Sequence, residues 1–173
     1  SLMTKYFTNN FTVINLHKKP STKSEVVTQM IYGDSFSISK KNRKWLKVKI
    51  KEDGYKGYIK SKNFSNFLKP THKINILKAK VYKFSNNKKK INEMSFGSKI
   101  KVINSKSKFF KFSKGWVYKK DTKHISYRDK NPFKKIAIFK NTKYVWGGKS
   151  FKGIDCSALI QVFLNFNNKF CPR

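Results

Sequence analysis

The chain has 173 residues, with 41 lysines and arginines against eight aspartates and glutamates, for a net charge of +33. It holds no apolar run of the ~20 residues that a membrane-spanning helix needs, and its two cysteines are too few for a disulfide scaffold. Only Arg43, Arg128 and Arg173 are arginines, and lysines are spread evenly along the chain, which argues against base-reading and ranks nucleic acid low as a partner.

Residues 1–8 read as a tag remnant and lead, with Met3 as the native start. No hydrophobic signal core follows Met3, which suits the cytoplasm; had a signal peptide been removed, the cell envelope would be the location. From residue 9 to 69, short stretches alternate apolar and polar side chains, as in Trp45-Leu46-Lys47-Val48-Lys49-Ile50, and turn-formers such as Asp53-Gly54 separate them. The same grammar returns over 70–125, with Ile100-Lys101-Val102-Ile103 as a strand. Gln29-Met30-Ile31-Tyr32-Gly33-Asp34-Ser35-Phe36-Ser37-Ile38 is echoed by Glu93-Met94-Ser95-Phe96-Gly97-Ser98-Lys99-Ile100-Lys101-Val102. Each copy is closed by a glycine, an aromatic and an aliphatic residue, Gly57-Tyr58-Ile59 and Gly115-Trp116-Val117. Two copies predict two small antiparallel β-barrels, the second shorter. Asp121 to Pro132 leads out of the second copy. Residues 126–173 form the last part, in which 131–173 amount to two helical segments and a loop, too little to enclose a core of their own.

The last part holds the run Tyr144-Val145-Trp146-Gly147-Gly148-Lys149-Ser150-Phe151-Lys152-Gly153-Ile154-Asp155-Cys156-Ser157-Ala158-Leu159-Ile160-Gln161. Ala158, Leu159, Val162, Phe163 and Phe166 recur at helical spacing, and Asp155 is a candidate N-cap before them. Cys156 then lies in the first turn, where unpaired amides and the helix dipole favour an anion, drawing a thiol of ordinary pKa ~8.5 towards thiolate. Gly147, Gly148 and Gly153 would let the backbone turn sharply and approach a substrate. On residues alone two readings stand side by side: an activated nucleophile, or a small buried side chain at a helix start.

The pattern Tyr-x-Trp-Gly-Gly-x-Ser-x-x-Gly-x-Asp-Cys-Ser, with Leu159, Gln161 and then Pro172-Arg173, resembles the nucleophile segment of the NlpC/p60 family of papain-like cysteine peptidases. Ala158 stands where that family usually has glycine, and Cys171 where an aliphatic residue usually precedes Pro-Arg. The two upstream copies resemble bacterial SH3-like domains. Two such domains before an NlpC-type segment are similar to the γ-D-glutamyl-L-diamino acid endopeptidases, or dipeptidyl-peptidase VI group. The resemblance implies a mainly β chain with two SH3-like barrels, followed by the N-terminal part of an α+β papain-like domain. It implies hydrolysis of the bond between γ-D-Glu and a diamino acid in murein peptides with a free N-terminal L-Ala, through a Cys156 thioester.

Tyr144 would support the oxyanion, Ser157 would bind the substrate backbone, and Glu25, Tyr55 and Asp155 would receive the ammonium of L-Ala. No cofactor or metal is implied. The family's general base is a histidine well beyond the cysteine, whereas His17, His72 and His124 all precede it. These 173 residues alone are therefore expected to be inactive. The competing reading is a non-catalytic protein whose SH3-like pair binds wall peptides or anionic polymers, the latter drawn by long-range charge that salt would weaken.

Overall fold

The computed structural model describes residues 3–173. Its first part is a sheet of β1 (Phe7–Thr8), β2 (Val13–His17), β3 (Val26–Ile31), β4 (Ser35–Lys41), β5 (Trp45–Ile50), β6 (Lys56–Lys60) and β7 (Ser65–Asn66). The spatial order is β3-β2-β6-β5-β4-β1-β7, antiparallel throughout. Pleat and pattern agree: in β5 the side chains of Leu46, Val48 and Ile50 are buried with Leu16, Met30, Phe36 and Ile59. The N-terminal residues depart from the expected lead. Phe7 and Thr8 pair with Phe36 and Ser35, and the Phe7 ring stacks on Phe36 at 5.9 Å. Residues 7 and 8 thus belong to the first sheet, because Phe7 gains apolar burial there that a solvated lead would forgo. Ser1 and Leu2 lie outside the described residues.

The second part comprises β8 (His72–Ile74), β9 (Lys78–Tyr82), β10 (Lys90–Ser95), β11 (Lys99–Ile100), β12 (Asn104–Lys106), β13 (Phe109–Phe112), β14 (Gly115–Tyr118) and β15 (Thr122–His124). They form a five-stranded sheet, β10-β9-β14-β13-β12, and a three-stranded one, β11-β8-β15. Ala79, Val81, Met94, Phe112 and Val117 of the first pack on Ile74 and Ile100 of the second. The expected strand from Ile100 to Ile103 stops at Ile100. Thr71 Oγ1 accepts the Val102 N–H at 2.9 Å, and Ile103 turns out to solvent.

The sequence repeat is a repeated turn. Asp34 N–H donates to Ile31 O at 3.1 Å and Ser98 N–H to Ser95 O at 3.0 Å, with Gly33 at φ +88° and Gly97 at φ +85°. In each turn the aromatic before the glycine leaves its own barrel for the next hydrophobic core. Tyr32 is buried in the second core, edge-on to Phe112, with its hydroxyl 3.0 Å from Ser113 Oγ. Phe96 is fully buried in a third core of Phe139, Ile154, Ala158, Val162, Phe163 and Phe166.

That third core belongs to residues 126–173, which hold a 3₁₀ turn (Ile136–Phe139), a short hairpin of β16 (Lys149–Ser150) and β17 (Gly153–Ile154), and helix α1 (Cys156–Phe166). Phe96 supplies the apolar centre that the segment lacks, stacking on Phe166 at 4.7 Å and tilting against Phe163 at 4.9 Å. The far end of α1 is held by Lys73, whose buried ammonium donates to the carbonyls of Phe166 and, at 2.5 Å, of Tyr127. A cation on the last carbonyls of a helix suits its dipole. Burial brings the Lys73 amine down to about 8, with Lys99 pushing the same way. None of the helices described is long and apolar enough to cross a membrane.

Candidate active site

Cys156 is the first residue of α1, and its side chain is exposed. Asp155 is the N-cap: its Oδ1 accepts the Ala158 N–H at 2.9 Å, and its carbonyl accepts the Leu159 N–H at 3.0 Å. The amides of Cys156 and Ser157 are thereby left as the unpaired donors of the first turn, beside the thiol. Ser157 is exposed next to them. Tyr144 is 62% exposed and forms a parallel bridge with Ile154, which sets it beside the strand leading to the cysteine.

The glycine loop is spent on packing. Gly147 and Gly148 are buried. Gly147, at φ +78°, presses so closely on the first barrel that a Cβ there would stand 2.5 Å from the carbonyl of Val26. Expected as room for a substrate, Gly147 is room for β3. Three further contacts hold the loop to the first barrel. Lys149 N–H donates to Gln29 Oε1 at 2.8 Å, Trp146 Nε1 donates to Glu25 Oε1 at 2.8 Å, and the Lys149 ammonium lies 3.0 Å from Asp53 Oδ2. Lys149 and Asp53 are both buried, a pair that stands only because hydrogen bonds complete it.

Of the two first-barrel residues expected near an incoming ammonium, Glu25 touches the loop before Cys156 through Trp146, and Tyr55 is partly buried in the wall of the first core. Glu25 precedes β3, is exposed, and is tied to Trp146. Tyr55 packs against the first core, and its backbone N–H donates to Asp53 Oδ1 at 2.9 Å. Asp155 is buried and its carboxylate already serves three donors. Oδ1 takes the Ala158 N–H, while Oδ2 takes the Gly147 N–H at 2.9 Å and the Arg173 guanidinium. Four residues that the sequence did not single out as site residues knit this region: Asp53, Lys149, Gln161 and Arg173. Asp53 read as half of an Asp-Gly turn and Lys149 as one lysine among many, while Gln161 and Arg173 read as parts of a motif.

No imidazole among the described residues is placed to assist the thiol. The His17 ring meets Ser24 O and Trp45, and His72 and His124 face one another at 5.4 Å on the second barrel. A cavity of about 310 Å³ lined by Gly33, Glu52, Phe67, Lys99, Asn168 and Phe170 sits at the other end of α1. That is about 15 Å along the helix from the cysteine.

The family described as the bacterial dipeptidyl-peptidase SH3 domain matches residues 16–64. The structure also superposes on the crystal structure of an NlpC/P60 family protein from Bacillus cereus with a TM-score of 0.79 at 17% identity, covering 97% of this chain and 74% of that one. The chain has the NlpC/P60 fold and carries a bacterial SH3 domain. It is also 25% identical, over 170 residues, to the γ-D-glutamyl-L-lysine dipeptidyl-peptidase of Bacillus subtilis, covering 88% of this chain. The chain spans 57% of the length of that relative. An NlpC structure from Trichomonas vaginalis aligns with a TM-score of 0.36, too low to bear on the fold.

Proposed function

We propose that this chain supplies the nucleophile and the substrate-binding barrel of a cysteine endopeptidase that cleaves murein stem peptides between γ-D-Glu and the diamino acid. The observation that carries the proposal is an exposed cysteine at the first position of a capped helix, on a loop docked to the one barrel that matches a dipeptidyl-peptidase SH3 domain. The Cys156 sulfur, as thiolate, adds to the scissile carbonyl. The amides of Cys156 and Ser157, with the Tyr144 hydroxyl, meet the oxyanion. The C–N bond breaks as the leaving amine takes a proton, and a thioester remains on Cys156 for water to hydrolyse, returning the thiol. No imidazole among the described residues is placed to move those protons, so residues 3–173 by themselves are expected to hold the thiol without turning substrate over.

An N-terminal L-Ala ammonium leaving water needs a carboxylate. Glu25 is the exposed one beside the nucleophile loop, with Oε1 shared with Trp146. Tyr55 adds the adjoining barrel surface and Ser157 hydrogen-bonds the peptide backbone, while Asp155, its charge met by Arg173, borders the site beside the thiol. Murein peptides are the proposed partners.

The test is alkylation of Cys156 by iodoacetamide, located by peptide mass, beside release of L-Ala-γ-D-Glu from L-Ala-γ-D-Glu-L-Lys by the product of the whole gene. Rapid alkylation at Cys156, with release abolished by Cys156→Ser and weakened at least ~10-fold by Glu25→Gln, is expected. Alkylation no faster than that of a free cysteine, with binding of the tripeptide but no release, would establish the non-catalytic reading instead.

A further inference from the structure

The nucleophile turn is tied to the first barrel by a buried chain of polar groups whose polarity is fixed at one end. Asp53 Oδ2, on the turn between β5 and β6, receives both Lys149 Nζ at 3.0 Å and Gln161 Nε2 at 3.1 Å. A carboxylate only accepts, so the amide nitrogen of Gln161 must face it, and this nitrogen also donates to Cys171 O at 3.0 Å. The amide oxygen is thereby turned the other way, where Arg173 Nη1 lies 3.4 Å from it. The guanidinium only donates, so a flipped Gln161 would set donor against donor. Arg173 is fastened further by Nε to the Val27 carbonyl at 3.0 Å, and its Nη2 sits on Asp155 Oδ2, next to Cys156.

We propose that Asp53 is a positioning residue for the nucleophile: it fixes the amide of Gln161, which holds Arg173 on Asp155 and so keeps the carboxylate beside Cys156 neutralised. The inference rests on Cys156 being the nucleophile. Its physical content is electrostatic. An Asp155 relieved of Arg173 presents an unbalanced negative charge one residue from the sulfur, which disfavours thiolate and repels anionic reagents. The first barrel then tunes the thiol from a distance, and Asp53 touches no reacting atom. As the buried partner of Lys149 alone it would do no more than hold two parts together.

The experiment compares alkylation of Cys156 at pH 7 by neutral iodoacetamide and anionic iodoacetate, in the wild type and in Asp53→Asn, Gln161→Met, Arg173→Gln and the Asp53→Asn/Arg173→Gln double variant. Gln161→Met severs the relay and leaves the Asp53–Lys149 pair in place, so it decides the matter if Asp53→Asn does not fold. Asp129→Asn, at the far end of α1, is the comparator for a loss of stability alone. Each relay variant is expected to slow iodoacetamide about 3- to 10-fold and iodoacetate more, with the double variant no slower than Arg173→Gln. Asp129→Asn should leave both rates unchanged. A relay variant that melts earlier yet keeps the wild-type rates and their ratio would overturn the proposal while leaving the nucleophile reading intact. A wild-type thiol no more reactive than a free cysteine would overturn both.

Discussion

Asp155 shows how much one side chain can be asked to do. It caps α1, closes the glycine loop through Gly147, and is the counter-charge of Arg173, all from a buried position. The cap is local and follows from an acid placed one residue before an apolar helical pattern. The ion pair depends on a residue 18 positions away whose own anchor, Val27, is 146 positions away in sequence. Replacing Asp155 by Ala removes the cap, worth about 1 kcal/mol, and strands a buried guanidinium as well. Asp155→Ala is therefore expected to lose at least about 2 kcal/mol in urea unfolding, more than an N-cap alone explains. A loss near 1 kcal/mol would mean that Arg173 finds water instead.

The repeated turn is the device by which one segment is attached to the next. Ile31-Tyr32-Gly33-Asp34 and Ser95-Phe96-Gly97-Ser98 have the same left-handed glycine, and each exports its aromatic into the following core. The repeat was legible in sequence as similarity. Its purpose was not, because the direction in which Tyr32 and Phe96 point is set by the barrel that carries them. Phe96 stands at the centre of the third core, against Phe139, Phe163 and Phe166. Phe96→Ala is expected to cost about 3–5 kcal/mol and to release α1 first. Hydrogen exchange should show α1 amides losing protection before those of β2 to β6, and uniform loss across the chain would contradict that order.

Over the whole molecule, two of the scarce acids, Asp34 and Asp53, pair with lysines of another segment. Five of the eight acids, Asp34, Asp53, Glu93, Asp129 and Asp155, form ion pairs, and the Asp34–Lys99 pair joins the first barrel to the second. Glu52 stands at the same junction, accepting the Ser35 N–H in the cavity that Lys99 also lines. Burial pushes its carboxyl up to about 7, with Asp34 pushing the same way and Lys99 opposing. The folded state keeps a proton that the unfolded chain releases near 4.5. This contribution to stability is therefore full below 4.5 and is lost as pH rises through 7, at a slope on the order of 1 kcal/mol per pH unit. Glu52→Gln, whose amide oxygen can still accept from Ser35, should flatten the melting temperature between pH 4.5 and 7 and exceed the wild type at pH 8. An unchanged profile would mean that Glu52 is solvated and ordinary. A chain of +33 also repels itself, so salt should raise the melting temperature of both proteins alike.

Period-two alternation was enough to read β5, though it ran past the end of β11, and spacing was enough to read α1 and its cap, because those signals depend on near neighbours and on one buried face. The place of Cys156 was legible for the same reason: a cysteine after an N-cap is a local arrangement. Distance in sequence hid the rest. Asp53 looked like a turn residue and Lys149 like any solvated lysine, until the fold placed them 3.0 Å apart across 96 residues and shut water out. Gly147, which read as space for substrate, is space for β3, and residues 126–173 are completed by a phenylalanine from the preceding barrel. Residue types and spacing decide what each segment can become; which charges meet, and which side chain fills a neighbour's core, is decided only when the three parts pack, because burial is what turns a weak surface pairing into a specific one.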